Sequence, residues 1–222
     1  MTHTHFEQHG ILIRSAPLGS FATNCFVIGC AQTGSGAIVD CSAEPDRIRA
    51  MIAHEPSVTI HKLLQTHAHI DHVVALSALK AETDAPIYLH RDEMPIYQSA
   101  PLQGRMFGIP VPDLPAPDIF VKDGDTVTVG ELTAKVLLTP GHTPGSICFY
   151  FEAQKVIFSG DVLFAGSIGR TDLPGGDYAT ILQSLARLVT LPDDVLVLSG
   201  HGPSTTIGQE KRSNPFLQQL PL

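Results

Sequence analysis

Three imidazoles and a carboxylate stand within six residues in Thr66-His67-Ala68-His69-Ile70-Asp71-His72. Packing has no use for that density of titratable groups, whereas divalent ions of borderline softness take imidazole nitrogen and carboxylate oxygen as ligands. The run follows an apolar stretch, Val58 to Leu64, and precedes Val73-Val74-Ala75-Leu76-Ser77-Ala78-Leu79, which is spaced as a helix. The cluster is therefore expected at a strand-to-helix turn. Side chains fan outward from such a bend, so His67 and His69 converge on one point while Asp71 and His72 face a second. Two adjacent metal ions are the natural occupants. A catalytic metal keeps a position open for water, so the remaining ligands should come from later in the chain.

Three residues fit that requirement. His142 stands in Thr139-Pro140-Gly141-His142-Thr143-Pro144-Gly145, Asp161 in Phe158-Ser159-Gly160-Asp161, and His201 in Leu198-Ser199-Gly200-His201-Gly202-Pro203. Each follows an aliphatic or β-branched run that reads as a strand, and each lies beside glycine. A lone histidine is ordinarily a surface or hydrogen-bonded core residue. Five of the eleven histidines, however, occur in the first cluster or at the end of an apolar strand beside glycine, and grouped His and Asp residues read as a metal site. His3, His5, His9, His54, His61 and His90 keep the ordinary reading.

The His-x-His-x-Asp-His run, followed in order by Gly-His142, Gly-Asp161 and Gly-His201, resembles the metallo-β-lactamase superfamily over roughly Ile11 to Leu217. Within it the chain is most similar to short glyoxalase II-like hydrolases. The supporting residues are Pro140 to Gly145, Gly169-Arg170-Thr171-Asp172, Gly200-His201-Gly202-Pro203, Thr206-Ile207-Gly208 and Asn214-Pro215-Phe216-Leu217. The resemblance implies that His67, His69 and His142 hold one divalent ion, that Asp71, His72 and His201 hold the other, and that Asp161 bridges them. Zinc is the expected metal, with iron and manganese compatible with the same ligands. The implied reaction is hydrolysis of a small thioester such as S-lactoylglutathione by a metal-bridging hydroxide that Asp71 orients. Asp40, which ends its strand as the family's first-motif aspartate does, is expected to support a ligand. Arg170 and Asp172 are expected to pair and fix the rim. The chain stops soon after its last motif, without the C-terminal helical region from which full-length glyoxalase II enzymes contact glutathione. The alternative on the same scaffold is a mononuclear iron persulfide dioxygenase using His67, His142 and Asp161. Gly200-His201-Gly202-Pro203 favours the hydrolase, and a complete ligand set disfavours a non-catalytic metal-binding module.

The elements that must position these residues follow from periodicity. Strands are expected at Ile11–Pro17, Ala22–Ile28, Ala37–Asp40, Pro86–His90, Ile119–Lys122, Thr126–Val129, Leu132–Leu138, Ser146–Phe151, Lys155–Ser159 and Val195–Leu198. Gly34-Ser35-Gly36 and Asp123-Gly124-Asp125 are turn signals. Helices are expected after Glu44-Pro45 and from Tyr178 to Val189, where Ile181, Leu182, Leu185 and Leu188 share a face. Strands followed by helix in each half predict an α/β fold, a four-layer αββα sandwich with the site at one rim. Pro95 to Pro117 reads as an irregular loop, and its Arg105, Met106 and Phe107 are taken as one wall of a substrate pocket.

The 222 residues, 43% of them hydrophobic, suit a single domain with a sizeable core, residues 1–9 being expected as a flexible N-terminus. A net charge of −8 argues against a nucleic-acid partner, and so against a ribonuclease, because phosphate binding rests on basic patches. The opening residues lack the pattern of a secretory signal, and no apolar run of about 18 residues exists to span a bilayer. A cytoplasmic protein without a membrane partner is expected. Cys25, Cys30, Cys41 and Cys148 form no Cys-x-x-Cys pair and read as reduced thiols. Cys41, next to Asp40, keeps a metal-adjacent role as its alternative.

Overall fold

The computed structural model describes residues 3–220. Its strands carry apolar side chains on both faces, and that pattern decides the layers. In β2 (Ile11–Leu18), Ile11 and Ile13 enter one core while Leu12, Ala16 and Leu18 enter another. Such a strand requires cover on both sides.

The first sheet has seven strands in chain order: β1 (Thr4–Gln8), β2, β3 (Thr23–Cys30), β4 (Ser35–Val39), β5 (Thr59–Leu64), β6 (Ile87–His90) and β7 (Ile119–Val121). The first four pair antiparallel; from β4 onward the pairing is parallel. Parallel neighbours need crossovers, and these carry the first helical layer: α1 (Pro45–Ala53), α2 (Ile70–Val73), α3 (Leu76–Thr83), α4 (Met94–Gln98) and α5 (Ala100–Phe107). The second sheet begins with β8 (Thr126–Val129), β9 (Leu132–Leu138), β10 (Ile147–Phe151) and β11 (Val156–Gly160). A small ribbon, β12 (Leu163–Phe164) and β13 (Ser167–Ile168), precedes α6 (Tyr178–Leu188). Then β14 (Leu196–Ser199), β15 (Thr205–Thr206) and α7 (Ile207–Ser213) follow. In space the second sheet runs β15-β14-β11-β10-β9-β8, with β11 and β14 parallel.

Three apolar clusters separate four layers. Ile13, Ile28 and Val39 of the first sheet meet Val136, Phe149 and Phe158 of the second. Ile48, Leu63 and Leu76 lie between the first sheet and its helices; Ile157, Ile181 and Leu185 lie between the second sheet and α6. This is the αββα sandwich that the element order implied. α6 begins where Asp177 accepts the Thr180 N–H at 2.7 Å, which satisfies one of its free donors. Among the described residues, no helix is long and apolar enough to cross a membrane.

Three expectations need correction. Residues Thr4–Gln8 are not a flexible lead but an edge strand in register with β2, Phe6 packing against the inter-sheet core; residues 1 and 2 lie outside the described part of the chain. The Pro95–Pro117 stretch is helical over its first half. Pro95 and Pro101 read as breakers, but each sits in the first turn of its helix, where a missing N–H costs nothing, and Gly108 ends α5 in the left-handed region at φ 67°. The helix expected at Val73–Leu79 is two, α2 and α3, because the chain bends at Val74 and Ala75.

Candidate metal centre

Parallel strands end on the same side of a sheet, and the site is assembled from such ends. β4 delivers Asp40, β5 delivers the His67 to His72 run, β11 delivers Asp161 and β14 delivers His201; the loop after β9 adds His142. Two glycines permit the approach. A Cβ at Gly200 would stand 2.1 Å from Asp161 Oδ1 and 2.7 Å from His72 Cε1. Gly141 adopts φ +126°, and a Cβ there would stand 2.3 Å from the Ile181 backbone nitrogen.

All seven residues chosen from the sequence meet. Their ligand atoms form three groups, each within 4.8 Å: His67, His69 and His142; His67, His72 and Asp161; and Asp71, His72 and His201. Asp161 Oδ2 lies 3.4 Å from His201 Nε2 and 3.7 Å from His142 Nε2, while Oδ1 lies 3.4 Å from His72 Nε2. Asp161 thus stands between the other two groups.

The surrounding residues fix which ring nitrogen faces inward. His72 turns Nδ1 to Asp40 Oδ2 at 2.9 Å, and Asp40 is itself buried and held by the Thr66 N–H and Oγ1, both at 2.8 Å. His67 directs Nδ1 to Thr66 Oγ1 at 3.1 Å, and His142 directs Nδ1 to the Arg170 carbonyl at 2.8 Å. Each contact leaves Nε2 for the centre, the arrangement by which outer partners orient metal-binding imidazoles. Thr23 donates to Asp71 Oδ2 at 2.7 Å.

The residues fit divalent cations. His67 Nε2, His72 Nε2 and Asp161 Oδ1 are buried with no hydrogen-bond partner, though buried polar atoms are ordinarily satisfied. Three orphaned ligand atoms in one cluster are what a cation would engage. Charge is divided in the same way. Burial holds His67 and His142 below the usual imidazole range and pushes His69 down to about 3, leaving three neutral ligands. At His72 burial acts in the same sense, but Asp71, Asp161 and Asp40 outweigh it and raise the ring well above that range. His201 is likewise pushed up to about 9, hydrogen bonds to Asp161 and Asp71 outweighing burial. Burial would raise Asp161, but the adjacent His72 charge and the hydrogen bond from His201 hold it well below the usual carboxylate range.

The other expected residues divide. Arg170 and Asp172 form a two-pronged pair at 2.7 Å, exposed to solvent, and only the Arg170 carbonyl touches a ligand. Met106 and Phe107 line a cavity of about 590 Å³ whose floor includes His69, Asp71, His142, Asp161 and His201. Arg105 does not. Leu102, Gln103, Met106 and Phe107 form the cavity-facing side of α5, and helical spacing turns Arg105 away from it. Cys41 is buried in the helix-side core, outside the ligand groups, and burial keeps its thiol protonated.

Two residues that matter gave no sequence signal. Thr23 is one. Glu93, fully buried in Arg91-Asp92-Glu93, is the other: Oε2 accepts the Ala68 N–H and Oε1 the Gly145 N–H, each at 2.8 Å. One carboxylate thereby joins the loop carrying His67 and His69 to the loop carrying His142.

Comparison with known proteins agrees with this fold. A family model described as the metallo-beta-lactamase superfamily matches residues 18–201. The hydroxyacylglutathione hydrolase GloC of Haemophilus influenzae is 41% identical over 208 residues, covering 92% of this chain and 97% of that protein. Among solved structures, the B3 metallo-beta-lactamase BLEG-1 superposes with a TM-score of 0.84 at 37% identity, covering 92% of this chain and 99% of the other. TTHA1623 in a di-iron-bound form gives 0.82 at 38% identity, with 90% and 98% covered.

Proposed function

The chain belongs to the metallo-beta-lactamase superfamily, a superfamily of metallo-hydrolases, and from that premise we propose that it hydrolyses thioesters, S-lactoylglutathione being the first substrate to test. The observation that carries this reading is the group of three orphaned buried ligand atoms, on His67, His72 and Asp161, of which Asp161 reaches the floor of a substrate-sized cavity. The similarity to the hydroxyacylglutathione hydrolase GloC supports the thioester class.

His67, His69 and His142 would hold one ion, Asp71, His72 and His201 the other, and Asp161 both. When bound, the ions supply Lewis acidity toward the substrate carbonyl and make a water acidic near pH 7, compared with about 15.7 in bulk. The chain supplies the positioning. Thr23 holds one Asp71 oxygen, so the other is free to accept a hydrogen bond from the attacking water and set its direction. Asp40 and the Arg170 carbonyl keep their histidines from rotating, so ligand geometry is fixed before substrate arrives. The scissile C–S bond gives way to a C–O bond from water, the acid is released, and the water's proton goes to the departing thiolate.

The test is metal analysis of the purified protein paired with hydrolysis of S-lactoylglutathione. Two transition ions per chain and release of glutathione are expected, and the same analysis separates zinc from iron or manganese. A single iron with oxygen uptake on glutathione persulfide would replace this reading with the dioxygenase.

A further inference from the structure

The wall of the cavity carries information that its floor does not. Phe21, in the turn between β2 and β3, meets Phe107 at the end of α5 edge to face, with ring centroids 5.3 Å apart. Leu102 and Met106 continue the surface along α5, and Leu173 and Pro174 add apolar lining to the same cavity. Phe21, Leu102, Met106 and Phe107 are 41%, 52%, 72% and 50% exposed, and they account for four of the six large apolar side chains that the described residues leave open to water. Their gathering at the mouth of one cavity, above the metal ligands, marks a surface kept for an apolar occupant.

Charge points the same way. Arg170 is the one lysine or arginine among the residues lining the cavity, and it is already engaged by Asp172 through two bonds of 2.7 Å. Asp92 adds a carboxylate to the lining. Glutathione brings two carboxylates and one ammonium, and among these residues no lysine or arginine is left unpaired to receive the excess negative charge.

We infer that the substrate of this site is a thioester with an uncharged apolar group of medium chain or aromatic size beside the scissile carbonyl, preferred over a hydroxyacyl thioester of glutathione. The inference rests on the thioesterase reading above and specifies its substrate class. The apolar group lies on the Phe21–Phe107 wall while the carbonyl reaches the floor. Hydrolysis consumes one water and yields a carboxylate, a thiol and a proton. The apolar group can belong to the acyl or the thiol side, and a two-armed panel separates them.

In the first arm the metal-loaded protein is offered S-lactoyl-, S-acetyl-, S-hexanoyl- and S-benzoylglutathione. In the second arm, acetyl thioesters of glutathione, N-acetylcysteamine and benzyl mercaptan are compared. The expected result is a kcat/KM at least about tenfold higher for the apolar member of one arm, since each buried methylene contributes roughly a factor of three to four. Phe107→Ala should shrink that preference at least about fivefold. Calorimetric titration with the non-hydrolysable S-hexyl- and S-methylglutathione, and with benzyl methyl sulfide against S-methyl-N-acetylcysteamine, supplies a readout independent of turnover. A preference for S-lactoylglutathione, with no apolar preference in either arm, overturns the inference and leaves the thioesterase reading standing. Absence of hydrolysis of every thioester ends that reading instead; the thioether titrations then decide the wall, equal affinities within each pair rejecting it and tighter apolar binding upholding it.

Discussion

The floor and the wall of the cavity are built on opposite terms. At and beneath the floor, His67, His72 and His142 each have a second residue holding the ring, and His67, His72 and Asp161 present buried atoms whose hydrogen bonds are unmade. On the wall Phe21 and Phe107 meet edge to face, and Phe21, Leu102, Met106 and Phe107 stand open to solvent. Directional ligands require sub-ångström placement, whereas apolar contact requires only area. A substitution on the floor should therefore act through geometry and be severe, and one on the wall should act in proportion to the surface removed.

The largest effect is expected for Asp161→Ala. It removes the carboxylate lying between His72, His142 and His201. Metal content should fall from two ions to one or fewer, and kcat/KM by about 10³-fold or more, since the charge stabilisation at stake is several kcal/mol. Metal analysis and thioester turnover on the same preparation check this. Retention of both metal and activity would show that the floor does not depend on this bridge. Next comes Asp40→Ala, which touches no substrate and frees the His72 ring. Loss of an outer partner of this kind typically costs 10- to 100-fold in metal affinity or activity, roughly the range expected here. A competition titration with a chelator measures it.

Glu93→Gln is expected to rank third and to reveal itself through stability. A carboxylate accepts both the Ala68 and Gly145 N–H groups, whereas a glutamine has one oxygen and must turn its NH₂ toward the other donor. Leaving one buried N–H unsatisfied costs about 1–3 kcal/mol, and for a chain of this size 1 kcal/mol lowers Tm by roughly 2–4 °C. pH gives the sign. Burial is the main cause that raises the Glu93 pKa above its ordinary 4.5, outweighing the hydrogen bonds that favour the charge. The folded state then binds more protons than the unfolded between these values, so this group's contribution falls as pH rises from 4.5 through the raised value and is constant above it. The Tm difference between the parent protein and Glu93→Gln should narrow across that window. A widening difference would mean that the ionised carboxylate is the favoured form.

The same contrast explains what the sequence made legible. His142, Asp161 and His201 could be found because each needed a glycine beside it and a strand before it, both written locally. Glu93 and Thr23 could not, because their roles depend on loops distant in sequence, and a Glu after Arg-Asp looks like any solvated charge. The α4–α5 helices were hidden by Pro95, Pro101 and Gly104. A Cβ on Gly104 would stand 2.3 Å from Val111 Cγ2, so glycine is there for close packing rather than to break the helix. β1 was hidden because an edge strand with one covered face carries few apolar residues: only Phe6 of Thr4–Gln8 contributes to a core. Most of the sandwich, the seven side chains that meet, Asp40 and the Met106 and Phe107 part of the wall were readable; Thr23, Glu93 and the Phe21 and Leu102 part of the wall needed coordinates.

The smallest expected effect tests where the wall stops. Arg105 has the charge one would choose to receive a substrate carboxylate, and it immediately precedes Met106 and Phe107. It belongs to the side of α5 turned from the cavity, exposed to water, so its charge is screened from anything bound on the floor. Arg105→Ala should leave kcat/KM within about twofold for neutral and anionic thioesters alike, and stability within the roughly 0.5 kcal/mol typical of surface changes. The informative measurement is the ratio of anionic to neutral substrates at low salt, where an unscreened charge would act most strongly. A tenfold loss confined to the anionic substrates would move Arg105 into the substrate's reach and supply the cation that the cavity lining otherwise lacks; an unchanged ratio leaves recognition on this wall to apolar area alone.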